Sequence, residues 1–535
     1  MDTPDTGGRG LRGYLVLTAA ISGCGVMVLE MAAVRAVAPY LGASTYTWTN
    51  VIGVMLGALA VGYFVGGRLA DRLPRPWALF LLLVAGGLLM GGLPFAVRPV
   101  ARWLVPADIG MESALGAVHR ASLLVTILLF APPTLILGGV SPMTIRLLAA
   151  RGMVGGAAGQ VFAASTAGSL AGTFLTTHLF VPMLGTRLTI ALAGALLSAT
   201  GALGLVLSVR GRRALPMAAL VAALAGVLTM GVAGAGPIKA REGQLVEVET
   251  AYQYVRVVES GAPTVRFLMI NEAEEAYQSV RVEGTELTEG RYYDYYSILP
   301  LLLGTPADGS LDVLVIGLAA GTIPRQLQAF FPAGLSVTGV EIDPGVLDVG
   351  RSHFGLPSEG DWLRAVVGDG RVCLNGLPRQ PTFELVILDA FAQEVYIPFH
   401  LATREAFTEV RDRLRPGGIV ALNSAGYRPD EELLTVLAST MADVFGRVYR
   451  VAVQGYPNYM LYAVRDGAPA FARLARPTGL PATPDGRKLR DLAAYVAAST
   501  TVAATGGLIL TDDYAPVERM TDSAFRRESH AAMGR

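Results

Sequence analysis

The sequence predicts a two-part fold. A polytopic α-helical membrane domain (1–238) precedes a small β module (243–300), an α/β domain (301–470) and a C-terminal extension (471–535). Three observations predict it. Of 535 residues, 52% are hydrophobic and only 16% charged, against roughly 25% charged in an ordinary soluble domain. Charge is also unevenly divided. Residues 1–238 hold fifteen arginines, no lysine and six acids, a net +9, whereas the remainder holds 37 acids against 28 bases, a net −9. Finally, long apolar runs give way after about 312 to short strand and helix signals in alternation. That alternation implies a mostly parallel sheet covered on both faces.

The first half contains about seven apolar stretches: 13–38, 47–70, 77–98, 119–141, 158–181, 187–209 and 214–233. Each approaches or exceeds the ~20 residues that cross a ~30 Å hydrocarbon core, so the lipid bilayer is the expected partner. Pairs such as Gly53/Gly57 and Gly168/Gly172 suit close backbone packing between spans. Pro132-Pro133 is expected to break or kink the fourth span. Glu30 and Arg35 lie in or near the end of the first, where charge usually faces the bundle interior. Gly67-Arg-Leu-Ala-Asp-Arg72 resembles the loop between the second and third helices of major-facilitator transporters. With the N-terminus inside, ten arginines fall on the cytoplasmic side, against four arginines plus Lys239 and Arg241 opposite. That bias favours N-inside, yet seven spans would then leave the second half outside. The two expectations conflict.

In the second half, Leu245–Val258 and Val265–Ile270 read as strands joined by a turn at 259–264. Further strands are expected near 312–316, 335–341, 364–367, 384–389, 417–423, 447–454 and 459–464. Helices are expected at 322–330, 344–353, 402–414 and 430–445. The first strand runs into Gly317-Leu-Ala-Ala-Gly321, a turn where a ligand can approach the backbone at a helix N-terminus. Glu341 ends the second strand, 24 residues beyond Gly317, where an acid can take both hydroxyls of a ribose. Asp369, in Gly368-Asp-Gly370, follows the third strand and can accept from an adenine amino group; Asp389 ends the fourth. Four such features at four consecutive strand ends point to a bound nucleoside.

This order resembles the Rossmann-like domain shared by AdoMet-dependent methyltransferases and spermidine synthases. Ala251-Tyr-Gln253, Tyr292-Tyr-Asp-Tyr-Tyr-Ser-Ile-Leu-Pro300 and Tyr456-Pro457 tip the resemblance toward spermidine synthases. With the apolar half, the chain resembles the fused integral-membrane spermidine synthase-like proteins of bacteria. Leu510-Thr-Asp-Asp-Tyr-Ala-Pro-Val-Glu518 resembles their closing segment, although Asp512 and Asp513 are equally suited to capping a loop. The resemblance implies a nucleoside site that includes Gln253, Gly317, Gly321, Glu341 and Asp369, with Asp389 as the catalytic carboxylate. It also implies Tyr292, Asp294 and Glu275 along the acceptor, with Glu394 a further candidate acid. Two departures bear on the chemistry. Ala320 stands where the family has the aspartate that grips the donor amine, and Ala392 replaces a second aspartate of the catalytic loop.

The leading expectation is a membrane-anchored transferase moving an aminopropyl group from decarboxylated AdoMet to a polyamine-type amine. The runner-up is methyl transfer from AdoMet, because Ala320 removes an acid and leaves backbone N–H groups for a methionine carboxylate. A transporter or sensor comes third. Two cysteines, Cys24 and Cys373, and five scattered histidines offer no metal-ligand spacing, so no metal is expected. No basic aromatic-rich patch suggests nucleic acid. A homodimer is left open. The expected location is the cell (inner) membrane, with the catalytic domain cytoplasmic.

Overall fold

The computed structural model describes residues 6–104, 120–149, 154–208, 214–271, 277–303, 309–358, 360, 362–391 and 396–533. The chain divides into two compact units, Met1–Ala240 and Arg241–Arg535.

Six helices in the first unit are long and apolar enough to cross a membrane. They are Gly10–Leu41, Thr45–Arg72, Pro76–Leu104, Arg120–Leu148, Val154–Ser208 and Leu215–Ala233. The fifth has 55 residues and is interrupted at Gly185, where φ 75° and ψ 164° are not helical. Its arms, 154–184 and 186–208, are two helices of spanning length, which makes seven among the described residues.

Gly168 and Gly172 pack as expected: a Cβ on either would lie 1.9 Å from the Ala20 carbonyl oxygen or 2.5 Å from that of Cys24. Gly53 and Gly57 do not, having nothing within 4 Å. The buried glycines of that helix are Gly62 and Gly66, against Leu135 and Gly139. Nine residues is about two and a half turns, so the two pairs occupy opposite faces. Pro132-Pro133 does not end its helix either. A π-helical turn, Thr126–Phe130, precedes it, and such a widened turn accommodates a residue with no N–H to donate.

The second unit holds two sheets. The smaller, ordered β1-β2-β3-β4, is antiparallel: β1 (Gln244–Glu249), β2 (Tyr254–Ser260), β3 (Val265–Ile270) and β4 (Ser279–Val282). The single strand expected over 245–258 is thus a hairpin. Thr250 makes the turn, its Oγ1 accepting from the N–H groups of Tyr252 and Gln253 at 3.1 and 2.9 Å.

The larger sheet has eight strands, ordered β12-β10-β11-β9-β8-β5-β6-β7. Its parallel part comprises β5 (Leu311–Ile316), β6 (Leu335–Glu341), β7 (Leu363–Val367), β8 (Phe383–Leu388) and β9 (Leu414–Ala425). The antiparallel strands β10 (Val448–Ala452), β11 (Asn458–Val464) and β12 (Thr501–Val502) extend it beyond β9. Strand alternation fills a core on each face. Val313 and Val315 enter one buried cluster with Leu385 and Ile387, while Leu314 and Ile316 enter the other with Val386 and Leu388. Buried on both faces, the parallel strands read as unbroken apolar runs. This is a Rossmann-like arrangement, and ligands in such sheets sit beyond the carboxyl ends of the strands.

Candidate active site

A cavity of about 220 Å³ opens at those carboxyl ends, lined by residues from the β1–β2 turn, β3 and the ends of and turns after β5, β6, β7 and β8. Gln253, Gly317, Glu341, Asp369 and Asp389 all line it, over an apolar floor that includes Ile270, Ile316 and Val340. Among the described lining residues are three carboxylic acids and one histidine, His400, but no lysine or arginine.

Gly317 has φ 94°, and a Cβ there would sit 2.4 Å from the Asp389 carbonyl oxygen. Only glycine fits that turn. Gly321 does not line the cavity. It precedes the helix Thr322–Phe330 at φ 86° and abuts Leu356, whose Cδ1 would lie 2.4 Å from a Cβ.

Glu341 is buried. Its two carboxylate oxygens accept from the N–H groups of Ala319 (2.8 Å) and Asp343 (3.1 Å). Burial raises its pKa despite those donors, and each oxygen keeps a second lone pair for a ligand hydroxyl. Asp343, next but one, is spoken for by Thr250 Oγ1 at 2.6 Å and the Gly345 N–H at 2.9 Å.

Asp369 caps the helix Gly370–Gly376, its Oδ1 accepting from the N–H groups of Arg371 and Val372 at 2.9 and 3.0 Å. Its Oδ2 lies 3.0 Å from His400 Nε2. Arg371 fixes this corner, donating to Glu409 at 2.6 and 2.9 Å, to Asp512 at 3.1 and 3.0 Å and to the His400 carbonyl at 2.6 Å. Asp512 also accepts from Thr403 Oγ1 at 2.7 Å. It therefore acts as a structural acid behind Asp369.

Asp389 is also buried. Tyr296 donates to its Oδ1 at 3.0 Å and Tyr292 to its Oδ2 at 3.3 Å, and Asn423 also hydrogen-bonds it. Burial outweighs these donors and holds the carboxyl well above the usual carboxylate range. The neighbouring phenols of Tyr292 and Tyr296 are pushed up in turn, by burial first and then by Asp389, so they stay protonated as donors.

Not every expected residue arrives at the site. Asp294 is buried and receives four hydrogen bonds: Thr288 N–H (2.8 Å), Thr288 Oγ1 (2.7 Å), Gly290 N–H (2.8 Å) and Gln326 Nε2 (2.6 Å). It lies off the cavity and holds its own segment together. Tyr292 hydrogen-bonds Asp389 and is not among the described lining residues. Glu275 and Glu394 lie outside the described residues.

Reading the sequence missed His400, Tyr296 and Asn423. Tyr296 follows Tyr292 by four positions on one short helix, and that spacing places both on one face. Asn423 interrupts the apolar run of β9, where a buried polar residue marks a partner. His400 carried no such signal.

The turn itself answers the question Ala320 raised. The N–H groups of Gly317 and Leu318 donate to Val340 O, Ala319 to Glu341, Ala320 to Ser279 Oγ at 3.0 Å, and Gly321 to Leu318 O. Each of these five N–H groups thus has a partner within the protein.

Comparison with known proteins bears on the same region. Residues 300–468 match the spermine/spermidine synthase domain. A probable polyamine aminopropyl transferase of Bifidobacterium longum is 30% identical over 225 residues, covering 42% of this chain and 47% of that protein. A polyamine aminopropyltransferase of Vibrio vulnificus is 33% identical over 144 residues, 26% of this chain and 46% of that one. The chain thus spans about half the length of these curated relatives. A solved structure of a probable spermidine synthase from Corynebacterium glutamicum is 18% identical, covers 51% of this chain and 99% of that one, and has a TM-score of 0.37. The resemblance drawn from the strand-end acids is borne out for the C-terminal part. For the first half, the support is its long apolar helices.

Proposed function

We propose that the second unit transfers the aminopropyl group of decarboxylated AdoMet to a small amine of the polyamine type. We further propose that residues 6–233 hold it in the cell membrane with the transferase in the cytoplasm. One observation carries the choice of donor: the cavity is lined by three acids with no described arginine or lysine, and the N–H groups of Gly317–Gly321 already have partners within the protein. Intact AdoMet would bring a carboxylate into that surrounding. The decarboxylated donor brings an ammonium and a sulfonium instead.

In the reaction, the acceptor nitrogen attacks the methylene carbon bonded to the sulfonium. A C–N bond forms, the C–S bond breaks with its electron pair going to sulfur, and neutral methylthioadenosine leaves. An alkyl ammonium, with a pKa of about 10.4 by analogy with lysine, must lose a proton to react. Asp389 is the acid placed to accept it, and a base with a raised pKa holds a proton more firmly than an ordinary carboxylate. The cationic donor favours the ionised carboxylate on arrival.

Product analysis tests the proposal. The purified full-length protein is given each donor with a panel of di- and polyamines. Methylthioadenosine released from decarboxylated AdoMet in an amine-dependent manner is the expected result. Adenosylhomocysteine from AdoMet, with no methylthioadenosine, would assign methyl transfer instead.

A further inference from the structure

A second cavity, of about 310 Å³, lies within the first unit where three helices end. It is lined by Pro94, Phe95 and Arg98 of helix Pro76–Leu104, by Arg187 just past the break at Gly185, and by Val232 and Gly236 at the end of the last helix. The cavity is far larger than the ~30 Å³ of one water. Two arginines line it, and none of its described lining residues is acidic. Neither Arg98 nor Arg187 has a carboxylate partner among the described residues. Arg187 gives one hydrogen bond to the Gly236 carbonyl at 3.0 Å and reaches the Tyr40 phenol, which leaves most of its five donors unused. Tyr40 is anchored in turn, donating to the Ile238 carbonyl at 3.1 Å.

Charge held at the end of a spanning helix is costly unless it meets an opposite charge or water. The surroundings of this cluster are apolar. Phe95 is exposed, Gly231 packs at its ring, and Val227 and Met230 are exposed on the adjoining turns. A basic corner beside exposed apolar side chains complements the two parts of a phospholipid, an anionic headgroup and an acyl chain.

We propose that Arg98 and Arg187 bind the phosphate of an anionic phospholipid whose chain lies against the exposed side chains of Phe95, Val227 and Met230. The proposal goes beyond the transferase reading. It rests on residues 6–233 spanning the bilayer, which alkaline extraction of membranes tests separately.

The experiment measures the melting temperature of the full-length protein in discs of phosphatidylcholine, with and without phosphatidylglycerol. A further arm adds inorganic phosphate to the phosphatidylcholine discs. Retained phosphatidylglycerol is quantified after detergent extraction. Phosphatidylglycerol should raise the melting temperature of the wild type, and inorganic phosphate should not. Arg98→Gln with Arg187→Gln should cut retained phosphatidylglycerol about tenfold or more, as for lost charge-assisted bonds, and abolish the thermal shift. Arg98→Gln alone breaks no described contact, so it provides a folded variant in which retention should also fall. Arg72→Gln, at the opposite end of the helix pair, should change nothing. Equal retention in the wild type and both Arg98 variants would overturn the site, as would equal loss in Arg72→Gln. Equal stabilisation by inorganic phosphate would overturn the lipid assignment.

Discussion

Asp389 takes its chemistry from its surroundings. Three donors favour its ionised form, burial opposes it, and burial wins. Its folded pKa therefore lies above the unfolded value of about 3.9. The folded state holds the proton that the unfolded state releases, so this contribution to stability is complete below about pH 4 and is lost as pH rises through the folded value. Asp389→Asn removes the ionisation. Its melting temperature should exceed the wild type's near about pH 8, with the gap closing on acidification. The same variant should keep nucleoside affinity within a few-fold and lose turnover on the order of 100-fold, as for a missing general base. An active Asp389→Asn enzyme would remove the base assignment. Tyr296 supplies the complementary experiment. Tyr296→Phe deletes the 3.0 Å donor to Oδ1 and should push the Asp389 pKa further up. The rising limb of the pH–rate profile should then move to higher pH while nucleoside affinity holds. A limb that stays in place would reduce Tyr296 to packing.

Between residue and molecule, the turn after β5 decides whether the acids form a site at all. Gly317 and Asp389 touch backbone to backbone, which sets the spacing between the first and fourth strand ends. Gly317→Ala should cost about 1–3 kcal/mol in backbone strain alone and displace Asp389, lowering both the melting temperature and nucleoside binding by calorimetry. Unchanged binding would show that this contact is dispensable. The parallel strands and their acids were legible because a doubly covered sheet needs unbroken apolar runs and because the ligand-facing residues fall at run ends. The β1–β2 hairpin was not. Its alternation continues through Thr250–Gln253, and the turn is made by a threonine hydroxyl, with no glycine or proline to announce it. Asp294 misled for a related reason. Its place in the motif was clear, but its four donors come from the backbone and side chains of Thr288, Gly290 and Gln326. His400 reaches Asp369 from 31 positions away through a segment of no regular pattern, and only the fold brings the two together.

At the scale of the whole molecule, an odd number of helices long enough to span, among the described residues, constrains orientation. The last of them packs along its neighbours to its end: Gly91 faces Leu228, and Gly231 faces the Phe95 ring. Its far end shares a cavity with the end of Pro76–Leu104 and the start of the arm at 186. It is therefore packed like the others, and if all seven cross as proposed, residues 6 and 241 fall on opposite faces of the bilayer. The proposed transfer from a donor made in the cytoplasm would then need the N-terminus outside, against the ten-to-six bias of basic residues. That bias is small, and an arginine pair bound to anionic lipid on the transferase side is compatible with that side being the inner leaflet. Impermeant maleimide labelling of intact cells decides, in a Cys24→Ser, Cys373→Ser background. Gly10→Cys should label directly, while Ser352→Cys, exposed on the second unit, should label only after permeabilisation. Protection at both positions would mean an even number of crossings. Direct labelling at Ser352→Cys would place the transferase outside and deprive it of its proposed donor.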